Sequence, residues 1–206
     1  MFLPMPFWRS SAGIVCPRFR NEFKRGNGMS GNIRRHILLT GMMGSGKSTI
    51  GQRLADALNW PFFDLDEEIE KRYAMTIPQI FAQHGEETFR HWERETLERM
   101  LAHDMAIVLA LGGGALLQEK SHDLVKAHRV IWLDAPSSEL WRRVKDTNRP
   151  LVAQGQEAFF LMHQARRAVY EKVASLKIEC VGDPSTVVAA ILQGLGADIG
   201  EQGNCD

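Results

Sequence analysis

Apolar residues along this chain occur in two rhythms. Short unbroken runs alternate with longer stretches in which apolar positions recur every third or fourth residue. The runs are RRHILLT (34–40), PFFDLD (61–66), AIVLAL (106–111), RVIWLDAP (129–136) and SLKIEC (175–180). Their length and their β-branched and aromatic content predict strands. Helices are predicted between them. KSTIGQRLADALN sets Ile50, Leu54, Ala57 and Leu58 on one side. EEIEKRYA and IPQIFAQHG read as short helices, with Pro78 tolerable in a first turn. EETFRHWERETLERMLAHD is a long amphipathic helix with Phe89, Trp92, Leu97, Met100 and Leu101 near one stripe. SSELWRRVKD, EAFFLMHQARRAVYEKVA and PSTVVAAILQGLG follow, the last predicted to stop at its glycines. TNRPLVAQGQ breaks the pattern and is predicted to be a loop.

Strands alternating with helices imply an α/β protein whose parallel sheet is covered on both faces. In such sheets ligands bind beyond the carboxyl ends of the strands. Three unusual stretches share that address: 41–49, 64–66 and 112–114. The third is Gly112, Gly113 and Gly114, which end a strand where one glycine would suffice for a turn. Three imply a backbone that must come close to something. No internal repeat or second domain is apparent.

Composition narrows the class. The chain has 206 residues, 44% hydrophobic and 24% charged, with no net formal charge. That suits one domain with a real core and argues against wholesale nucleic-acid or membrane binding. Cys16, Cys180 and Cys205 fit no metal or disulfide spacing, so reduced thiols in a cytoplasmic protein are expected. No apolar run approaches a membrane span. Residues 1–32 are basic and aperiodic and are expected to be a disordered extension, with Met29 a candidate start of the working protein and a transit peptide the other reading. Residues 197–206 are expected to be a flexible tail.

GMMGSGKST contains G-x-x-x-x-G-K-S from Gly41 to Ser48, with a predicted strand before it and a helix after it. This is the phosphate loop of nucleoside-triphosphate-binding proteins. Backbone N–H groups at a helix start hold phosphate oxygens, and glycines let the main chain curl around the anion. Gly44, Ser45, Gly46, Lys47, Ser48 and Thr49 are the candidate ATP contacts. The Lys47 ammonium meets the β- and γ-phosphates, and the Ser48 hydroxyl ligates Mg²⁺. By period two along the second strand, Asp64 and Asp66 face the same side. Both also suit the cap of the following helix.

Taken together, GMMGSGKSTIGQRLADAL, FDLDEEIE, IFAQHGEETFRHWE, LGGGAL, NRPL and ARRAVYEKVA resemble the shikimate kinase family over roughly residues 35–195. The resemblance implies a three-layer P-loop kinase fold: a five-stranded parallel sheet, helices on both faces and a mobile lid. It places the kinase domain at 33–196 and the lid at about 147–157. It implies transfer of the γ-phosphate of MgATP to the 3-hydroxyl of shikimate in aromatic amino acid biosynthesis, by a monomer. Asp66 then orients or deprotonates the hydroxyl. Asp64 lies near Mg²⁺, directly or through water. Arg90 and Arg166 hold the carboxylate, an Arg task because the guanidinium grips it bidentately. Gly113 and Gly114 touch the acceptor, with Gly112 nearer the γ-phosphate. Arg149 in the lid swings over the phosphates. Either Arg142 or Arg143 lies beside adenine. Arg167 reads as a surface residue, Trp92 and Trp141 as packing residues, and His84, His91 and His163 carry no assignment. Ala74 stands where the family usually has Gly, and Ala168 where it often has Pro. Two other readings stay open: a kinase for gluconate or another small metabolite, and a non-catalytic nucleotide-dependent binding module.

Overall fold

The computed structural model describes residues 36–147 and 152–200, with side chains to residue 196. The expected N-terminal extension, the end of the tail and residues 148–151 of the expected lid, Arg149 among them, lie outside the described residues.

Five strands form one parallel sheet: β1 (Ile37–Thr40), β2 (Phe62–Asp64), β3 (Val108–Ala110), β4 (Arg129–Asp134) and β5 (Leu176–Glu179), in the order β2-β3-β1-β4-β5. The central strands are buried on both faces, which is why they read as unbroken apolar runs. At the β5 edge the pattern changes to strict alternation of half-buried Leu176 and Ile178 with exposed Lys177 and Glu179.

Alternation along β1 separates two cores. Ile37 and Leu39 join Ile50 and Leu54 of α1 (Lys47–Leu58), Leu140 of α5 (Ser137–Val144) and Ile191 of α7 (Pro184–Gly200). Leu38 faces the other way, toward Ile69 of α2 (Leu65–Tyr73), Phe89 and Leu97 of α3 (Ile77–Leu101) and Val125 of α4 (Glu119–Val125). Helix α6 (Gln156–Val173) contributes Phe159 to the first core and Val169 to the second. Among the described residues no helix is long and apolar enough to cross a membrane.

The structure differs from expectation in three places. The second strand ends at Asp64, so Asp66 lies in the first turn of α2 rather than two residues along a strand. Asp64 is the cap of that helix: its Oδ1 accepts the Asp66 N–H at 3.1 Å, which stops the strand. The two helices expected on either side of Gly85 are present as the two arms of α3, separated at Gly85 by a non-helical φ of 79 and ψ of 174. Helix α7 runs past its glycines to Gly200, because a helical glycine costs only about 1 kcal/mol, and Gly194 sits where a methyl group would come within 2.8 Å of the Leu176 side chain. Helix α4 was not foreseen, since EKSHDLV is too short and polar to show a stripe.

Candidate active site

The phosphate loop leaves β1 and enters α1 through backbone conformations that suit glycine. Gly41, Gly44 and Gly46 have φ of 140, 83 and 87, in or near the left-handed region. Gly41 is also hemmed in, since a methyl group there would approach Leu133 O to 2.5 Å. The Lys47 ammonium donates to Gly41 O at 2.8 Å and Met42 O at 3.2 Å, so its charge is held inside the loop. Gly46, Ser48 and Thr49 lie at the open N-terminus of α1, where aligned N–H groups favour an anion. Ser45 differs from this pattern. Its side chain is fully buried and its N–H closes a turn on Met42 O, so it faces into the fold.

The Ser48 hydroxyl donates to Asp64 Oδ2 at 2.7 Å. Asp64 therefore serves both strand-end tasks, capping α2 with one oxygen and meeting the phosphate loop with the other. Two hard oxygen donors side by side fit Mg²⁺, which takes one or two protein groups and completes its shell with phosphates and water.

Two of the three glycines, Gly112 and Gly114, are explained by what surrounds them, and none of the three needs a positive φ. A methyl group at Gly112 would lie 2.7 Å from Asp66 Oδ1 and 2.8 Å from Glu93 Oε1. At Gly113 it would lie 3.4 Å from Arg166 Nη1, and at Gly114 2.7 Å from Arg90 Nη1. Gly112 thus makes room for carboxylates from α2 and α3 and Gly114 for a guanidinium from α3, whereas a methyl group at Gly113 would make an ordinary contact with Arg166 of α6. This corrects the expected reason for Gly114, which clears space for the Arg90 guanidinium itself. Gly112 lies against the Asp66 and Glu93 carboxylates. The position at Gly113 is also 3.7 Å from Gly41 O and 3.8 Å from Met43 N, so the glycine loop abuts the phosphate loop.

Arg90 donates from Nη1 to Glu93 Oε2 at 2.7 Å and from Nη2 to Glu86 Oε1 at 3.2 Å. One N–H on each terminal nitrogen is left over, the fork that suits a carboxylate. The pairing with glutamates and the place in the site coexist. Arg166 donates from Nη1 to Gly113 O at 3.2 Å, which fixes the helix register: Arg166 faces the glycine loop and Arg167 does not.

Sequence reasoning missed Glu93 as a site residue. It is 4% exposed, and burial pushes its carboxyl above the ordinary value, Arg90 opposing and Asp66 reinforcing. The signal was a charged residue in the buried stripe of α3, three places from Arg90.

Beside the phosphate loop lies a cleft of about 380 Å³ lined by Gly44, Thr49, Arg142, Arg143, Cys180 and Pro184 among others. Its two arginines differ. Arg143 is tied down by bonds to Gly44 O and Cys180 O, both at 3.0 Å. Arg142 is exposed and pairs locally with Glu139. Arg167 is a correction too: it donates to Asp134 Oδ1 at 2.8 Å and lies over the Trp132 ring, because a buried carboxylate at the end of β4 needs cations. Lys177 also reaches Asp134, at 3.1 Å. His163, unassigned from sequence, is buried between Ser137 and Asp134.

Comparison with known proteins gives the family of the chain. The family model described as shikimate kinase matches residues 43–195. A shikimate kinase of Rhodococcus jostii is 40% identical over 159 residues, covering 75% of this chain and 94% of that protein. A bifunctional shikimate kinase/3-dehydroquinate synthase of Thermotoga maritima is 36% identical, over 77% of this chain but only 32% of that longer protein. The solved shikimate kinase from Acinetobacter baumannii in complex with shikimate superposes with a TM-score of 0.75 at 34% identity, covering 80% of this chain and 94% of that one. With the family model matched over residues 43–195 and a relative 40% identical across most of both chains, this chain belongs to the shikimate kinase family.

Proposed function

We propose that this chain transfers the γ-phosphate of ATP to the 3-hydroxyl of shikimate, giving shikimate 3-phosphate and ADP. The observation that carries this reading is the convergence of Asp66, Arg90 and Arg166 on residues 112–114, directly beside the phosphate loop. A carboxylate-bearing polyol seated there would have its carboxylate between the guanidinium groups of Arg90 and Arg166 and a hydroxyl toward Asp66. Gly113 and Gly114 line its floor.

Lys47 balances charge on the transferring phosphoryl group, and Gly44, Gly46, Ser48 and Thr49 hold the phosphates by the N-terminus of α1. Ser45 supports this loop from inside. Ser48 and Asp64 would hold Mg²⁺, which supplies charge neutralisation on the β- and γ-phosphates. Asp66 orients the attacking hydroxyl and takes up its proton. Arg149 adds positive charge from the lid, and exposed Arg142 stacks on adenine while Arg143 braces the loop. Positioning and electrostatics then supply most of the rate enhancement. We place the enzyme in the cytoplasm as a monomer.

A coupled ADP-release assay with shikimate and, separately, gluconate tests this. Saturable ADP release with shikimate alone is expected. Turnover with gluconate in its place, or with neither, overturns the reading.

A further inference from the structure

We propose that Tyr170 is a positioning residue of the acceptor site, its hydroxyl fixing the middle peptide of the glycine loop in the orientation that acceptor binding needs. The inference rests on the reading of Arg90 and Arg166 as carboxylate ligands.

Three consecutive glycines give a loop more freedom than any other sequence, so something outside it must hold it. The carbonyls of Gly112 and Gly114 are held from within, by the N–H groups of Ala115 at 3.1 Å and Leu117 at 3.0 Å. Gly113 O is held from another element. Tyr170 Oη donates to it at 2.6 Å and Arg166 Nη1 at 3.2 Å, both from α6. In a planar trans peptide the C=O and the next N–H point in opposite directions. Drawing Gly113 O toward α6 therefore sets the direction of the Gly114 N–H, next to Arg90.

The tyrosine is built for this task. It is 1% exposed, and burial pushes its hydroxyl up to about 12, so the group stays a donor at every working pH. Its ring packs against Trp132 at 6.0 Å, which fixes the hydroxyl in space. The bond also spares Arg166. With Tyr170 satisfying Gly113 O, the guanidinium need not turn fully toward that carbonyl and stays available to an anion. Without it, the charged donor becomes the only one of the two left on Gly113 O, and the loop and the ligand compete for it.

Tyr170→Phe removes one oxygen and keeps the ring. We expect its KM for shikimate to rise about tenfold, with kcat less affected and the KM for ATP within twofold of the parent. Amide hydrogen exchange across residues 112–117 should quicken in the same variant. A shikimate KM within twofold of the parent overturns the proposal, even if the melting temperature falls. A joint rise in both KM values overturns it as well, as general damage. If the parent itself fails to phosphorylate shikimate, the reading of the acceptor fails first. The exchange comparison then still decides whether the hydroxyl holds the loop.

Discussion

Lys47 and Asp66 show how differently two polar residues in one site are constrained. Lys47 is bonded to two carbonyls of its own loop, so Lys47→Ala removes a charge without unpacking a core. The expected outcome is loss of phosphotransfer with a native circular-dichroism spectrum; near-parental turnover would count against its role. Asp66 is an exposed first-turn residue whose backbone, not its carboxylate, completes the cap at Asp64. Asp66→Asn should therefore fold and bind both substrates yet turn over at least a hundredfold more slowly, measurable in single-turnover experiments. For the arginines, losing one partner of a buried charge-assisted pair costs on the order of 2–5 kcal/mol. Arg90→Ala and Arg166→Ala should raise the shikimate KM by about a hundredfold and leave that for ATP nearly unchanged. Gly114→Ala should mimic Arg90→Ala, since its methyl group would displace that guanidinium. Unaltered shikimate kinetics in all three would remove the carboxylate site.

At the level of elements, helix ends and breaks carry the strain. Ala74 closes α2 at φ 52 and ψ 34, a left-handed conformation that costs a side-chain-bearing residue about 1 kcal/mol. Ala74→Gly should raise stability by up to about that amount, less the entropy a glycine gives back to the unfolded chain. Urea titration decides this, and a lower midpoint would show that the cap is unstrained. Gly85 lies in a region open essentially to glycine alone, so Gly85→Ala should cost roughly 1–3 kcal/mol and misalign Arg90 five residues on. The tie between α6 and β4 is of another kind. Arg167→Ala leaves Lys177 on Asp134, so it should lower the melting point slightly and leave both KM values alone. It remains a kinetic control but no longer a silent surface change.

Across the whole molecule, buried ionisable groups set how stability answers to pH. Burial holds the His163 imidazole below its ordinary 6.5, with Asp134 opposing and Arg167 reinforcing. As pH falls through 6.5 the unfolded chain protonates this group and the folded chain does not. The unfolded state then binds more protons, so this contribution to stability is complete above about 6.5 and is lost on acidification toward the folded-state value. His163→Gln should flatten that fall relative to the parent in denaturant titrations at several pH values. Parallel curves would assign the fall to other groups.

What the sequence determined by itself is the part of the protein that rests on local rules. Strand and helix periodicity yielded the parallel sheet, and a motif with fixed glycine spacing yielded the phosphate loop from Gly41 to Ser48. Family resemblance added the acceptor reading of Arg90 and Arg166. Tertiary structure decided everything that depends on which distant groups meet. It turned Ser45 inward, separated Arg166 from Arg167 by the face each presents, and gave Arg142 and Arg143 different surroundings. It made Glu93 a buried partner of the site and Tyr170 the holder of Gly113. Spacing along a chain fixes a residue's direction relative to its own helix or strand. Only packing fixes what stands opposite, and for Gly112 and Gly114 the opposing charges are what leaves no room for a side chain.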